Sequence, residues 1–302
     1  MVRENLGKFP SLVTAASLQV GYVLTVAVSV SAGVHALTSA FPALYPIRVL
    51  LGVVIITVLC IGNLRGIRDS GTLFSIPPYL FIISLLVLLG MGFWKMWTGD
   101  VQTYTGGTQN PIFHSDYLAV PLLLVLRAFA SGCSALTGIE AILNAVPAFK
   151  QPASKNANQV LLWMALLMST LFFGVTALSH VYGVIPDPAG SAVTEAAISK
   201  LARSIVGEGW FYYWIQATTA MILIVAANSC FSGFPWLSAN LARDRYVPRQ
   251  FAILGDKLVY SNSIIWLSVA AAILVILFQA DTHALIPIYA IGVFIGFTLS
   301  QA

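Results

Sequence analysis

The sequence predicts an all-α polytopic membrane protein. Hydrophobic residues make up 58% of the 302 positions and charged residues only 9%, whereas a soluble domain carries roughly 25% charged residues. Apolar runs that suit a bilayer core of ~30 Å recur along the whole chain. The net charge of +4 therefore bears on membrane topology and does not indicate nucleic-acid binding.

Eight apolar runs predict about eight transmembrane helices. They cover residues 12–40, 49–62, 72–94, 118–147, 160–181, 210–237, 264–279 and 284–300. The eighth run extends almost to Ala302, and residues 1–10 are typical of a loop that leads into a helix. We therefore expect a single transmembrane domain over 1–302 that is a fragment of a longer protein. Between the fifth and sixth runs, residues 192–206 predict a short amphipathic helix on the outer surface.

The positively charged residues predict the orientation of the chain in the membrane. With a cytoplasmic N-terminus, the inside segments hold Arg3, Lys8, Arg65, Arg68, Lys150, Lys155, Arg243, Arg245, Arg249 and Lys257. The outside segments then hold Arg48, Lys95, Lys200 and Arg203, and Arg127 lies within the fourth run. The inside segments thus hold more positively charged residues than the outside segments. Because the opposite orientation would place the excess outside, we predict a cytoplasmic N-terminus.

The fourth run contains a candidate helix break. An unbroken helix from Leu118 to Phe149 would extend ~48 Å, which is too long for one untilted crossing. Gly132 and Gly138, with small polar residues between them, offer a place to interrupt it. Backbone groups freed inside a membrane are tolerated only where they line a cavity or bind something. Many secondary transporters hold ions and substrates at such breaks.

Two charged residues belong to the same run. Glu140 follows the predicted break, and an intramembrane carboxylate costs a few kcal/mol, so it is a functional candidate by default. The alternative is that Glu140 lies near the cytoplasmic mouth or hydrogen-bonds a neighbouring helix. Arg127 is either a structural residue that caps carbonyls or a ligand, and the sequence leaves both roles open.

The first run carries a polar face. Tyr22, Thr25, Ser29 and Gly33 recur at steps of three and four residues, so they share one side of a helix. Such a face either packs against another helix or lines a ligand site. In the sixth run, we expect Asn228 to hydrogen-bond a neighbouring helix. The chain contains no G-x-S-x-G, H-E-x-x-H or P-loop pattern, so we predict neither an enzyme nor a bound cofactor.

Several stretches together resemble a known family of membrane proteins. They are P-S-L-V-T-A-A-S-L-Q-V-G-Y-V-L-T-V-A-V-S at 10–29, G-N-L-R-G-I-R-D-S-G at 62–71, L-R-A-F-A-S-G-C-S-A-L-T-G-I-E-A at 126–141, A-A-N-S-C-F-S-G-F-P-W-L at 226–237 and L-A-R-D-R-Y-V-P-R-Q-F at 241–251. The chain is similar over essentially its whole length to the amino acid–polyamine–organocation (APC) permeases, and within them to the KimA-type potassium importers. The resemblance implies a LeuT-like fold with inverted repeats.

The resemblance also implies which part of such a fold the chain represents. The eight runs would correspond to core helices three to ten of a twelve-helix permease. The first two helices, the last two helices and a cytosolic C-terminal domain would be absent. Helices one and six are the broken pair of this fold, so the run with Gly132 and Gly138 would be the sixth.

The family's ion site maps onto positions of this sequence. The resemblance implies that Tyr22, Thr25 and Ser29 of the first run contribute to it, with Thr137 and Glu140 of the broken run and Tyr289 of the last. Thr137, Glu140 and Ser29 are the candidate potassium ligands. The sequence departs from the family at Gly21, where the potassium importers carry an aspartate. The loss of one carboxylate lowers the negative field of the site.

The expected function is secondary active transport by alternating access. An anionic Glu140 would repel a substrate carboxylate and favour a cation, so potassium import coupled to protons is the first hypothesis. An amino acid or polyamine permease of the same superfamily is the alternative. The expected partners are the lipid bilayer and a small cation or small molecule, without nucleic acid, and a homodimer is one expectation for the full-length protein. The resemblance implies a bacterial plasma membrane location.

Overall fold

The computed structural model describes residues 7–66, 71–101, 122–133, 151–184, 195–255 and 259–301. All regular structure within these ranges is helical, which agrees with the all-α class. The α-helices are α1 (Lys8–Ala40), α2 (Arg48–Leu64), α3 (Gly71–Thr98), α4 (Leu122–Cys133), α5 (Ala153–Val181), α6 (Ala197–Val206), α7 (Trp210–Arg243), α8 (Ser261–Leu277) and α9 (Thr282–Gln301). Short 3-10 helices cover Pro42–Ile47 and Arg249–Ala252.

The helices account for the predicted membrane spans. Five segments of the described ranges are long and apolar enough to cross a bilayer: Lys8–Ala40, Pro42–Leu64, Phe74–Thr98, Ala153–Val181 and Trp210–Arg243. Two shorter apolar helices follow, Ser261–Leu277 and Thr282–Gly296. Helix α4 lies inside the fourth predicted run, and the rest of that run falls outside the described residues. The chain is therefore a multi-pass membrane protein.

Some helices extend beyond the apolar runs that predicted them. Helix α5 begins at Ala153 rather than at residue 160, and α7 continues to Arg243 rather than ending at residue 237. The added residues, such as Lys155 and Asn240, are too polar to count as membrane-spanning but are compatible with a helix. Hydropathy thus marks the hydrocarbon-embedded part of a helix, whereas backbone hydrogen bonding sets its full length.

By its internal contacts, the chain divides into two compact units. The first consists of Met1–Ile82, Pro188–Ala196 and Tyr213–Ala302. Its core includes Val30 of α1, Ile56 of α2 and Leu267 of α8, each no more than 1% exposed. Helix α1 packs against α2, α8 and α9. Methyl groups added at Gly292 and Gly296 of α9 would make ordinary contacts with Leu24, Val20 and Ser17, so α1 and α9 run antiparallel.

The second unit consists of Ile83–Asp187 and Ala197–Tyr212. Its helices approach one another closely at Gly92 of α3, where an added methyl group would lie 2.6 Å from Leu178 Cδ1 and 2.9 Å from Ile205 Cδ1. The Tyr182 hydroxyl donates a hydrogen bond to the Gly92 carbonyl at 3.2 Å. Burial and the nearby Asp100 carboxylate raise the pKa of Tyr182, so the phenol remains a protonated donor at neutral pH.

Helix α6 differs from the amphipathic surface helix that the sequence predicts. It begins at Ala197 rather than at residue 192, since Glu195 and Ala196 are not helical. Leu201 and Ile205 on its apolar side are at most 1% exposed, and Ile205 lies against Gly92. The apolar side of the helix therefore packs within the second unit.

Candidate functional site

The polar face of α1 meets α7 at a glycine. A methyl group added at Gly233 would lie 2.8 Å from both Cζ and Oη of Tyr22. Such distances are too short for any real side chain, so the Tyr22 ring lies directly against the α7 backbone. The sequence leaves open whether this face packs against another helix or lines a ligand site. At Tyr22 the contact is one of helix packing. The face of α1 and the residues of α7 that it meets form what we call the α1–α7 seam.

Thr25 lies one turn further along the seam. Its hydroxyl donates a hydrogen bond of 2.7 Å to the Gly21 carbonyl. Because the hydroxyl proton is directed at the backbone, the lone pairs of Oγ1 remain available. An oxygen in this state can accept a further hydrogen bond or contact a cation.

Ser29 and Gly33 continue the seam along α1. Ser29 is only 8% exposed, and its hydroxyl makes no hydrogen bond within the described part of the chain. Because this oxygen is not bonded to the protein, it has free capacity for a ligand. A methyl group added at Gly33 would make an ordinary contact, 3.6 Å from Leu223 Cβ.

Hydrogen bonds between side chains flank the seam. Gln19 Nε2 of α1 donates to Ser238 Oγ of α7 at 3.1 Å. Asn63 Nδ2 of α2 donates to Asn228 Oδ1 of α7 at 2.8 Å and also to the Leu59 carbonyl at 2.8 Å. The expectation that Asn228 bonds a neighbouring helix is thus confirmed. These bonds tie α1, α2 and α7 together around the polar face.

Tyr289 lies on a different side of α1. It is a buried residue of α9, one turn before Gly292. Helix α9 packs against α1 at Val20 and Leu24, whereas α7 packs at Tyr22 and Thr25. The structure therefore puts Tyr289 on a helix adjacent to α1, but not on the helix that forms the seam.

The remaining predicted site residues belong to the fourth run. Thr137, Gly138 and Glu140 lie outside the described residues. Gly132 lies in α4, which continues to Cys133, and no described atom comes within 4 Å of a methyl group added there. The prediction of a break near Gly132 and Gly138, with Thr137 and Glu140 beside it, stays a prediction.

Sequence reasoning assigned no site role to Gly233 and Cys230 of α7 or to Asn63 of α2, which flanks the seam. Gly233 and Cys230 stand three residues apart on α7, and small residues at such spacing are typical of close helix contacts in membranes. That signal was available in the stretch A-A-N-S-C-F-S-G at 226–233. No local signal relates Asn63 to Asn228, because 165 positions separate them.

Comparison with known proteins adds two findings. A family model described as amino acid permease matches residues 1–302. The chain is 47% identical over 303 residues to the potassium transporter KimA of Bacillus subtilis (strain 168), and this alignment covers 99% of the chain and 48% of the relative. The chain thus spans about half the length of the curated relative that it matches.

Proposed function

The chain belongs to the amino acid permease family, and from this premise we propose that it is part of a secondary active transporter that imports potassium together with protons by alternating access. The observation that carries the proposal is the 47% identity, over 99% of the chain, to a protein named as a potassium transporter. Identity of this extent supports a shared transport function. The cell membrane is the corresponding location.

The ion site that we propose combines neutral oxygens with one carboxylate. Thr25 Oγ1 and Ser29 Oγ have lone pairs to offer, and Tyr22 lies on the same face of α1. Neutral oxygens that replace hydration water suit a large, hard cation such as potassium. Thr137 and Tyr289 would add further oxygens, as the family resemblance implies.

Glu140 would supply the negative charge of the site. As an intramembrane carboxylate, it would either contact potassium directly or carry the coupled proton. In both roles, replacement of the Glu140 carboxylate by a neutral group removes the negative charge that attracts a cation. The proposal therefore predicts that transport depends on the ionisable group at Glu140 and not only on its shape.

A second candidate function is the transport of an amino acid or polyamine. The description of the matching family as amino acid permeases favours it. A substrate carboxylate would bind at half-helix N-termini, where an anionic Glu140 would repel it, whereas a polyamine would tolerate Glu140. The potassium hypothesis ranks first because both the named relative and the sign of Glu140 favour a cation.

We further propose that the chain acts as a transporter and not as an enzyme. Potassium would then be the cargo and the proton the coupling ion, and no cofactor would be required. In this proposal the bilayer would surround the apolar helices, nucleic acid would have no role, and the full-length protein would assemble as a homodimer.

Potassium uptake in cells tests the proposal. The gene that encodes this chain, expressed in a bacterium stripped of its own potassium uptake systems, should restore growth at low potassium. Glu140→Gln should abolish the rescue while leaving membrane insertion intact. The matched control is Glu208→Gln, because Glu208 is an exposed partner of Arg203 at 3.4 Å and exposed ion pairs contribute little.

Two outcomes would refute the potassium assignment. One is the absence of growth rescue together with uptake of labelled amino acids or polyamines. The other is normal potassium uptake by Glu140→Gln, which would make that carboxylate structural. Rescue by Glu208→Gln, but not by Glu140→Gln, is the result that the proposal requires.

A further inference from the structure

Helices α3, α5, α7 and α8 end with the same capping geometry. In each of them the first or second residue after the helix adopts a left-handed conformation, and two backbone hydrogen bonds close the end in the Schellman pattern. At α3 and α5 this residue is Gly99 (φ 76°) or Gly183 (φ 65°). At α7 and α8 it is Arg245 (φ 64°) or Gln279 (φ 53°). A side chain is disfavoured in this region relative to glycine, so the last two positions call for an explanation.

Gln279 has an explanation within the chain. Its Nε2 donates to the Ile276 carbonyl at 3.0 Å, which caps its own helix. Its backbone carbonyl accepts a hydrogen bond from Arg48 Nε at 3.0 Å. The side chain and the backbone at this position therefore both contribute to the local structure.

Arg245 has no such explanation among the described residues. The α7 end is closed by backbone bonds alone, from Tyr246 N to Leu241 O at 2.9 Å and from Arg245 N to Ala242 O at 3.1 Å. The Arg245 side chain is exposed and makes no hydrogen bond or ion pair within the described ranges. A strained residue that the fold does not need is grounds for a functional hypothesis.

The residues that follow α7 carry a net positive charge, as Arg245 does. Residues 243–255, which we call the arginine turn, contain three arginines and one carboxylate, Asp244, for a net charge of +2. Arg249 is exposed, and its side chain likewise makes no hydrogen bond or ion pair within the described ranges. Arg243 donates to Tyr260 Oη at 3.3 Å, which anchors the start of the turn.

The arginine turn is ordered and also exposes apolar side chains. Asn262 Nδ2 donates to the Gln250 carbonyl at 3.0 Å, and Gly255 N donates to the Val259 carbonyl at 2.8 Å. Ile253 is 60% exposed and Leu254 46% exposed. Exposed cations and exposed apolar groups thus occupy one short turn that directly follows a membrane-spanning helix.

We propose that the arginine turn binds the phosphate headgroups of anionic phospholipids at the α7 end of the bilayer, which is the predicted cytoplasmic face. Guanidinium groups match phosphate oxygens in geometry and charge. Clusters of basic residues next to a membrane span attract anionic lipids, while Ile253 and Leu254 would enter the boundary between headgroups and acyl chains. This inference does not depend on the identity of the transported cargo.

Arg245→Gly is the most informative variant. Glycine is the preferred residue at this position of the capping motif, so the variant should fold at least as stably as the parent chain. The detergent-solubilised chain is titrated with phosphatidylglycerol, and the increase in its melting temperature gives an apparent affinity. Phosphatidylcholine and inorganic phosphate serve as separate titrants.

The parent chain should be stabilised by phosphatidylglycerol more than by phosphatidylcholine or inorganic phosphate. Arg245→Gly should weaken the apparent affinity for phosphatidylglycerol about fivefold, and Arg249→Gln combined with it should weaken it by about a further fivefold. The response to phosphatidylcholine should not change in either variant. Lys95→Gln, which removes a cation from the last turn of α3, should retain the preference for phosphatidylglycerol.

Three results would overturn the inference. Unchanged affinity for phosphatidylglycerol in the double variant would show that the arginines serve another purpose, such as setting topology. Equal stabilisation by inorganic phosphate would identify a general anion site. A lower melting temperature of Arg245→Gly without added lipid would show that Arg245 supports the fold itself.

Discussion

Glycines bring helices close together in both units of the molecule, but the side chains that they admit differ. In the first unit, Gly233 makes room for the hydroxyl-bearing ring of Tyr22. In the second unit, Gly92 makes room for Leu178, and Gly174 makes room for Leu89, with an added methyl group 2.7 Å from Leu89 Cδ1. The added methyl group would therefore meet a tyrosine ring in the first unit and aliphatic side chains in the second, where the Gly92 carbonyl also accepts a hydrogen bond from Tyr182.

The difference shows where the molecule retains polar atoms in spite of the membrane. Oxygen atoms in a membrane interior are unfavourable unless they are bonded or functional. The α1–α7 seam keeps the hydroxyls of Thr25 and Ser29, whereas at Gly92 and Gly174 the side chains nearest to an added methyl group are aliphatic and the Tyr182 hydroxyl is already bonded to the Gly92 carbonyl. We therefore assign the hydroxyls of Thr25 and Ser29 in the first unit to the candidate ion site and a scaffold role to the glycine contacts of the second unit.

The largest expected effect follows from a methyl group at Gly233. Gly233→Ala would force the rigid Tyr22 ring to move as a whole, so it should destabilise the chain by about 1–3 kcal/mol and also abolish potassium uptake. Melting temperature and uptake measure the two effects. Gly33→Ala in the same seam is the matched control, because its methyl group would make only ordinary contacts; if both variants behave alike, the close approach at Gly233 is not important.

A smaller effect, limited to stability, is expected at Gly92. Gly92→Ala would push against the methyl ends of Leu178 and Ile205, which can change rotamer, so the cost should be about 1 kcal/mol. Gly90→Ala on the same helix meets no described atom within 4 Å and should stabilise the helix by about 0.5–1 kcal/mol. Neither variant should alter the apparent affinity for potassium, and a shift in either would contradict the scaffold role.

The smallest steric effect is expected at Gly21, although a carboxylate added inside the membrane would itself cost a few kcal/mol. No described atom lies within 4 Å of a methyl group added there, so Gly21→Asp meets no steric obstacle. Because a second carboxylate would deepen the negative field of the site, the variant should bind potassium more tightly than Gly21→Asn. Potassium-dependent melting curves of the two variants provide the comparison, and equal affinities would show that the departure from the family at this position is immaterial.

The apolar runs predicted the helices well because burial in hydrocarbon is a property of each segment alone. The runs at 12–40 and 264–279 correspond to Lys8–Ala40 and Ser261–Leu277. The polar face of Tyr22, Thr25 and Ser29 was visible for the same reason, since helical periodicity is local. A single sequence could not show that this face of α1 packs against α7.

The partner residues follow from how separate helices pack. Gly233 meets Tyr22, and Asn63 meets Asn228, across more than 150 positions of sequence. The hydropathy of a sequence cannot predict such pairs, because it does not determine which faces of two helices pack together. The contribution of Thr137 and Glu140 rests on the resemblance to the permease family and on the physics of an intramembrane carboxylate.

Two serines of α1 allow the most direct test of the claim that the α1–α7 seam binds the transported cation. Ser29 and Ser31 are both buried, and neither hydroxyl is hydrogen-bonded within the described residues. Two helical positions differ by about 200° in direction, so only Ser29 shares the face of Thr25. Substitution by alanine removes no hydrogen bond at either position, so neither variant should be destabilised.

The decisive measurement is the half-saturating potassium concentration for uptake by Ser29→Ala and Ser31→Ala. Loss of an oxygen that contacts a cation costs roughly 1.5 kcal/mol, so Ser29→Ala should raise this concentration about tenfold. Ser31→Ala should leave it unchanged. Equal values for the two variants would contradict the assignment of the ion site to the α1–α7 seam.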